Sequence, residues 1–320
     1  MRRCWLLAVT ALVLSSAPAW ATEKISVATG GTGGVYYPYG GGMAEIVNKH
    51  VAGVEAVAEV TAASVENVRL VDRGESAIGL VMGDTAFQAF AGTERFTGDT
   101  KNIRTLFVMY PNQLHIVVRK GSGIAKVSDL KGKRISMGAP GSGTAVQAEA
   151  VLSALGLGKR DYRPSFLSFN ETADALKNRT IDAGIWSVAP PTSSIMDLAT
   201  THDIEVLSFS DEELEKIHKA YPYYSKYEIP GGLYRGVDRP VPNPSVWNVA
   251  IVSADMPEEL AYELTKAIFE NHSELVRVHR AAEDTRPKAS VVNSPIPLHP
   301  GAARYLTEQG LTIPEELVAK

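Results

Sequence analysis

Short apolar segments typical of strands alternate with helical segments along most of the chain, and this alternation constrains the fold more than any other feature. In the first part of the sequence, we predict strands at 24–28, 54–62, 77–82 and 103–110, and helices at 37–50, 65–73 and 85–91. In the second part, we predict strands at 114–119, 133–137, 181–186, 204–209 and 246–253, and helices at 144–155, 171–178, 192–199 and 257–270. Such alternation is typical of α/β proteins with mostly parallel sheets.

The pattern divides into two similar α/β units that are joined by strands near residues 114 and 246. We therefore predict a two-lobed α/β protein with a ligand cleft between the lobes, outside the carboxyl ends of the strands. Lobe 1 is expected to comprise residues 22–112 and 247–320, and lobe 2 residues 113–246. The segment 221–245 is rich in proline and tyrosine, and we expect it to form an ordered surface loop.

The first 21 residues have the features of a secretory signal peptide. Arg2 and Arg3 precede a short apolar run, and the segment ends in Ala19-Trp20-Ala21, a small-x-small cleavage pattern. The apolar run is shorter than the roughly 20 residues that span a bilayer, which disfavours the alternative of a membrane anchor. Removal of residues 1–21 would also remove Cys4, the only cysteine. The sequence therefore predicts an exported protein without a thiol.

The charge of the chain disfavours nucleic acid as a partner. The sequence has 32 Lys and Arg against 36 Asp and Glu, which gives a net charge of −4, and it contains no basic run. A protein that binds nucleic acid usually carries a basic patch or stripe.

Two glycine-rich loops each follow a predicted strand and precede a predicted helix: ATGGTGGVYYPYGGG at 28–42 and GAPGSGT at 138–144. Neither matches a nucleotide motif, because Tyr36 replaces the third glycine of the dinucleotide fingerprint and Thr144 replaces the lysine of a phosphate loop. Clustered N–H groups at a helix start nevertheless suit a single carboxylate. The alternative is that the glycines only permit tight turns.

We expect no catalytic residue, no metal and no cofactor. The seven histidines are scattered, and the sequence contains neither a His-Glu-x-x-His motif nor a Gly-x-Ser-x-Gly elbow.

Several segments resemble one family in sequence and in order: ATGGTGGVYYPYGGGMAEIV, TAASVENVRLV, GLVMGDTAFQA and PEELAYELTKAIFEN. They are similar to the TAXI-type substrate-binding proteins of tripartite ATP-independent periplasmic (TRAP) transporters. The resemblance implies a periplasmic, non-enzymatic receptor of the type II-like Venus flytrap architecture. Such a receptor closes on a small carboxylate (an amino acid, oxo acid or dicarboxylate) and delivers it to the TRAP permease subunits. A monomer is expected.

The resemblance also implies ligand contacts, in the segments that match the family. The implied contact residues are Gly33, Tyr36, Ser64, Val65, Asn67, Asp84, Gly141, Ser142, Gly143, Thr144, Trp186 and Ser187. The sequence departs from the family pattern at 187–189, where the family more often has small glycine-type residues, so the ligand's identity does not follow from the resemblance.

Two alternatives remain open. One is an exported α/β enzyme that acts on a small organic acid, with Asp84 or a histidine as base. The other is a ligand-sensing receptor that docks on a membrane sensor instead of a permease.

Overall fold

The computed structural model describes residues 22–97 and 102–319 of the 320-residue chain. The predicted signal peptide lies outside these residues. The described strands are β1 Glu23–Ala28, β2 Val54–Glu59, β3 Ile78–Met82, β4 Ile103–Arg119, β5 Arg134–Ser136, β6 Arg163–Ser165, β7 Ala183–Val188, β8 Ile204–Val206, β9 Ser225–Ile229 and β10 Val241–Ser253. The described α-helices are α1 Tyr36–His50, α2 Ser64–Asp72, α3 Gly83–Ala91, α4 Gly143–Ala154, α5 Phe169–Lys177, α6 Ser193–Thr201, α7 Asp211–Ala220, α8 Glu258–Glu270, α9 His272–Val278, α10 Pro287–Asn293 and α11 Pro300–Glu308.

The strands form one sheet in the order β2-β1-β3-β10-β4-β7-β5-β6, with β8 beside β4 and β9 beside β10. The outer strands pair in parallel on each side, as β2-β1-β3 and as β7-β5-β6. The two long strands between them, β4 and β10, are antiparallel to each other. The α/β prediction is therefore confirmed, but the sheet is mixed and not mostly parallel, since four of the described strand pairs are parallel and five are antiparallel.

The two parallel sets point their carboxyl ends at the same place. Strand β3 is antiparallel to β10 and ends with Met82 opposite Asn248, whereas β7 is antiparallel to β4 and ends with Val188 opposite Gln113. Trp247 of β10 in turn lies opposite Pro111 of β4. The ends of both sets therefore meet at the middle of the two long strands.

Most predicted elements are confirmed to within a few residues, but two predictions are wrong. The strands predicted at 103–110 and 114–119 are one strand, β4, and Pro111 lies inside it. Its partner strand has a register shift between Trp247 and Val249, and a proline is tolerated where the ladder is irregular because no regular N–H bond is lost there.

The predicted surface loop at 221–245 is also largely wrong. Residues 225–229 form β9, which pairs with residues 241–245 of β10. Pro242 and Pro244 occupy alternate positions of that strand. Because successive residues of a strand direct their N–H groups to opposite edges, residues two apart direct them to the same edge, and the two prolines cost hydrogen bonds at one edge only.

Among the described helices, none is long and apolar enough to cross a membrane. The division of the chain into lobe 1 (residues 22–112 and 247–320) and lobe 2 (residues 113–246) stays a prediction.

Helix α1 carries three consecutive glycines, and its neighbours explain two of them. A Cβ on Gly40 would overlap Thr29 and approach Val27 and Leu80 of β1 and β3 to 3.4 and 3.5 Å. A Cβ on Gly42 would lie 2.8 Å from Val278 of α9. Gly41 is exposed, and a Cβ added there would have no neighbour within 4 Å. Close approach of α1 to the sheet therefore requires glycine at 40 but not at 41.

This contrast is testable with two neighbouring substitutions. Gly41→Ala should raise the free energy of unfolding by about 0.5–1 kcal/mol, because alanine favours the helix. Gly40→Ala should lower it by about 1–3 kcal/mol, because the added methyl group overpacks the interface. Denaturant unfolding of both variants checks the signs, and equal effects would contradict this account of α1 packing.

Candidate functional site

A cavity of about 90 Å³ lies where the two sets of strand ends meet. By the usual space per enclosed water, it has room for roughly three to eight water molecules, the size range of a small organic molecule. Its lining comes from both predicted lobes and from the middle of β4. The lining residues are Gly30, Gly31, Gly34, Val35, Tyr36, Thr61, Ala62, Ala63, Ser64, Met82, Tyr110, Asn112, Ala139, Ser142, Gly143, Thr144, Ser168, Phe169, Ser187 and Val188.

Four helices begin at this cavity. The first residues of α1, α2, α4 and α5 (Tyr36, Ser64, Gly143 and Phe169) all line it. The first four N–H groups of a helix have no acceptor within the helix, and the helix dipole places about half a positive charge there. The four helix starts therefore give the cavity a positive potential, although some of their N–H groups already donate within the protein, as those of Val65 and Glu66 do to the carbonyl of Gly141.

No lining residue is ionisable at neutral pH. Arg69, Arg73 and Arg119 do not line the cavity. Arg69 lies over the ring of Phe96, Arg73 pairs with Glu75, and Arg119 donates to the carbonyls of Leu176 and Ile181. The positive potential at the cavity thus comes from backbone dipoles and not from a cationic side chain.

Six of the twelve residues implied by the resemblance line the cavity: Tyr36, Ser64, Ser142, Gly143, Thr144 and Ser187. Ser142 is also the N-cap of α4, since its Oγ accepts from the N–H of Ala145 at 3.2 Å. Ser64 Oγ likewise accepts from the N–H of Met82 at 3.1 Å. These hydroxyl groups therefore organise the site as well as line it.

Three other implied residues lie in contacts between the predicted lobes. The carbonyl of Gly33 accepts from Ser194 Oγ at 2.8 Å, and the N–H of Val65 donates to the carbonyl of Gly141 at 3.0 Å. None of the three lines the cavity. Gly33 thus holds the first glycine-rich loop to the start of α6, and Val65 holds the start of α2 to the second glycine-rich loop.

Asn67 and Trp186 are fully buried and have their polar groups occupied. Asn67 Nδ2 donates to the carbonyls of Thr29 and Leu80, both at 2.7 Å, and its Oδ1 accepts from Thr61 Oγ1 at 2.6 Å. Asn67 therefore ties α2 to strand β3 and the end of β1. The indole N–H of Trp186 donates to Ser194 Oγ at 3.2 Å, and its ring packs against Phe169.

Cavity residues on β4 and at the start of α5 were not predicted from the sequence. Tyr110 and Asn112 line the cavity from the middle of β4, and Ser168 and Phe169 line it from α5. Three buried side-chain atoms at the cavity have no hydrogen-bond partner among the described residues: Tyr110 Oη, Asn112 Oδ1 and Ser187 Oγ. Buried polar atoms are rarely left unpaired without a functional reason. A polar asparagine within an apolar strand was the signal available in the sequence.

Backbone strain also occurs at the cavity. Ala63, which precedes α2 and lines the cavity, has φ 76° and ψ −146°. This region is nearly restricted to glycine, and a non-glycine residue held there costs about 1–3 kcal/mol. Such strain is often found at functional sites, which agrees with the unpaired polar atoms nearby.

Comparison with known proteins agrees with this architecture. A model of the NMT1-like family matches residues 27–310. The chain belongs to the NMT1-like family. Among solved structures, a protein of Bordetella bronchiseptica RB50 has 18% identity and a TM-score of 0.52, covering 93% of this chain and 85% of that one.

A second solved structure was described in a study of glutathione import via GshT and the cystine ABC importer TcyBC of Streptococcus mutans. It has 14% identity and a TM-score of 0.52, and the match covers 81% of this chain and 94% of that one. At these identities the likeness concerns the fold alone. It confirms the two-lobed periplasmic-binding-protein architecture predicted above for this NMT1-like protein.

Asp84, the last implied residue, is buried beside the site without lining the cavity. Its Oδ2 accepts from Tyr224 Oη at 2.7 Å, and its Oδ1 accepts from the N–H of Thr85 at 2.6 Å. The Tyr224 contact joins the two predicted lobes. Burial raises the pKa of Asp84 from 3.8 to about 6, although both hydrogen bonds act in the opposite direction.

This raised pKa predicts a pH dependence of stability. Because the folded protein holds the Asp84 proton more tightly than the unfolded chain, the ionised carboxylate costs about 3 kcal/mol at pH 7.5. The neutral carboxyl group does not carry this cost. The corresponding stability is therefore fully present below the pKa of the unfolded chain and is lost as the pH rises through about 6. The wild-type protein should therefore gain about 1.4 kcal/mol between pH 7.5 and pH 5 from this group.

Asp84→Asn should lose this gain, because the amide can accept from Thr85 and donate to Tyr224 without a charge. Chemical unfolding of both proteins at pH 5 and 7.5 measures the difference. Tyr224→Phe removes a donor to the carboxylate and should move the transition to higher pH. Identical pH profiles for the wild type and Asp84→Asn would contradict the assignment.

Proposed function

We propose that this NMT1-like protein is an exported solute receptor that binds a small carboxylate in the closed cavity and delivers it to a membrane transporter. The observation that carries the proposal is the convergence of four helix N-termini on a cavity without ionisable lining residues. Helix N-termini with free N–H groups bind anions in many proteins.

The charge balance of the cavity supports a small anion over a cation or a neutral sugar. The helix starts supply donors and partial positive charges, whereas the lining has no carboxylate that could pair with a cation. A buried unpaired cation would be strongly disfavoured. A small carboxylate meets donors on several sides without needing a salt bridge.

The enzyme alternative has little support, because its candidate bases lie outside the cavity. Asp84 is bound to Tyr224 and Thr85. His115 is buried against the Gln113 carbonyl and Tyr234, and burial lowers its pKa to about 4. Among residues 22–97 and 102–319, no group of three or more His, Cys, Asp or Glu could hold a metal ion. The proposed receptor performs no chemistry.

The proposed class of transporter and the proposed class of ligand rest on different observations. The sequence resemblance favours a TRAP permease, which is driven by an ion gradient, whereas the Streptococcus mutans neighbour is described with an ABC importer. We propose the TRAP partner. Uptake of the identified ligand into membrane vesicles from the producing cells distinguishes an ion gradient from ATP as the driving force, and an absence of uptake would favour the sensor alternative.

Calorimetry with purified protein tests the ligand class. Amino acids, oxo acids, hydroxy acids and dicarboxylates form the panel, with neutral sugars and metal cations as controls. At least one carboxylate should bind, and small-angle scattering should show a smaller radius of gyration with ligand than without, because a ligand that contacts both lobes favours the closed form. Binding of sugars or cations alone would overturn the proposal.

A charge placed at the start of α4 tests the location of the carboxylate. Ser142→Asp sets a negative charge within about 4 Å of the ligand, which costs about 1–4 kcal/mol at effective dielectric constants between 80 and 20. Affinity should fall roughly fivefold to a thousandfold. Stability should barely change, because aspartate is a good N-cap.

Ser142→Asn is the matched control, because asparagine has the same shape as aspartate and is an equally good N-cap but carries no charge. The ratio of the two affinities isolates the effect of charge from that of side-chain size. Equal affinities in the aspartate and asparagine variants would remove the α4 start from the carboxylate site.

A further inference from the structure

One buried asparagine at the cavity has a single unused atom that can only accept a hydrogen bond. Asn112 is 3% exposed and lines the cavity, and its Nδ2 donates to the carbonyl of Ser187 at 3.0 Å. This bond fixes the amide, because the reversed orientation would place two oxygens in contact. Its Oδ1 then has no partner among the described residues.

A carboxylate alone cannot satisfy this atom. Ionised carboxyl groups only accept hydrogen bonds, and so does the oxygen of an asparagine amide. The neighbouring unpaired hydroxyl groups of Tyr110 and Ser187 differ, since each can donate to a carboxylate. The cavity therefore suits a ligand that has a carboxylate for the donors and a separate O–H or N–H for Asn112.

The absence of an acidic lining residue favours a hydroxyl group over an ammonium group as that donor. An ammonium group in the cavity would lack a charged partner, which makes its burial costly, whereas a hydroxyl group is satisfied by one amide oxygen. The cavity of about 90 Å³ also restricts the ligand to a small molecule.

We infer that Asn112 selects a small hydroxy carboxylate, with its Oδ1 accepting from the ligand hydroxyl. The inference rests on the proposed function and deepens it, since it names the substrate class of the same site. A site built to pair with a hydroxyl group discriminates against analogues that lack it, because the buried acceptor is then left unsatisfied.

The test compares acids with the same carbon skeleton by calorimetry. One series is lactate, pyruvate, propanoate and alanine, and the other is malate, oxaloacetate, succinate and aspartate. In at least one series the hydroxy acid should bind about ten- to a hundredfold more tightly than its oxo and unsubstituted counterparts. It should also bind more tightly than the amino acid.

Asn112→Leu removes the acceptor with little change in size, and the hydroxy preference should fall to within about threefold. Asn243→Leu is the matched control: Asn243 is also fully buried, donates to a backbone carbonyl at 2.9 Å and has an unpartnered Oδ1, but it does not line the cavity. This control should keep the preference.

The outcomes separate the two proposals. If no carboxylate binds the wild-type protein, the proposed function fails and this inference fails with it. If carboxylates bind without a hydroxy preference, or with a preference for the amino acids, only the role of Asn112 is overturned. A preference that persists in Asn112→Leu also overturns it, and the wild-type panel decides the question even if that variant does not fold.

Discussion

The antiparallel pairing of β4 with β10 is the constraint on which the site depends. These two strands pass through the centre of the sheet, and each is flanked by a parallel set that runs toward their middle. Because loops and helix starts follow the carboxyl ends of parallel strands, two opposed sets place four helix starts around one point. The residues of β4 at that point, Tyr110 and Asn112, form part of the cavity wall without belonging to any loop.

Two buried asparagines show how the same side chain serves the fold in one place and the site in another. Asn67 has all of its polar atoms bonded to the protein and joins a helix start to two strands. Asn112 has one atom bonded and one unused. A saturated amide stabilises the native fold, whereas a half-saturated one costs free energy unless a ligand completes it. The hydrogen bonds of a buried side chain therefore separate positioning residues from candidate ligand contacts better than residue type does.

The sequence predicted the order and the approximate bounds of most strands and helices, because apolar periodicity and glycine turns are local signals. It failed at Pro111 and at residues 225–245, where pairing with a distant strand overrides the local signals of proline. The same contrast between local signals and long-range pairing applies to the residues of the site. Ser142 to Thr144 could be predicted from a glycine loop before a helix, whereas Tyr110 and Asn112 reach the cavity through the register of β4. Gly33, Val65 and Gly141 lie near the site in sequence, but each is bonded to a residue of the other predicted lobe.

Closure of the proposed receptor can be explained by the balance between bonds that join the two predicted lobes and buried polar atoms that lack a partner in the protein. Bonds such as Tyr224 to Asp84 and Val65 to Gly141 join the two predicted lobes and would favour the closed form of the proposed receptor. Closure also buries the unpaired atoms of Tyr110, Asn112 and Ser187, each at a cost of about 1–3 kcal/mol. A ligand that pairs with all three recovers up to about 3–9 kcal/mol, less whatever trapped water already satisfies. Shifting a two-state equilibrium from 1:99 to 99:1 requires about 5.5 kcal/mol. The upper half of the range reaches this value, so three polar atoms can make closure of the proposed receptor depend on the ligand without a salt bridge.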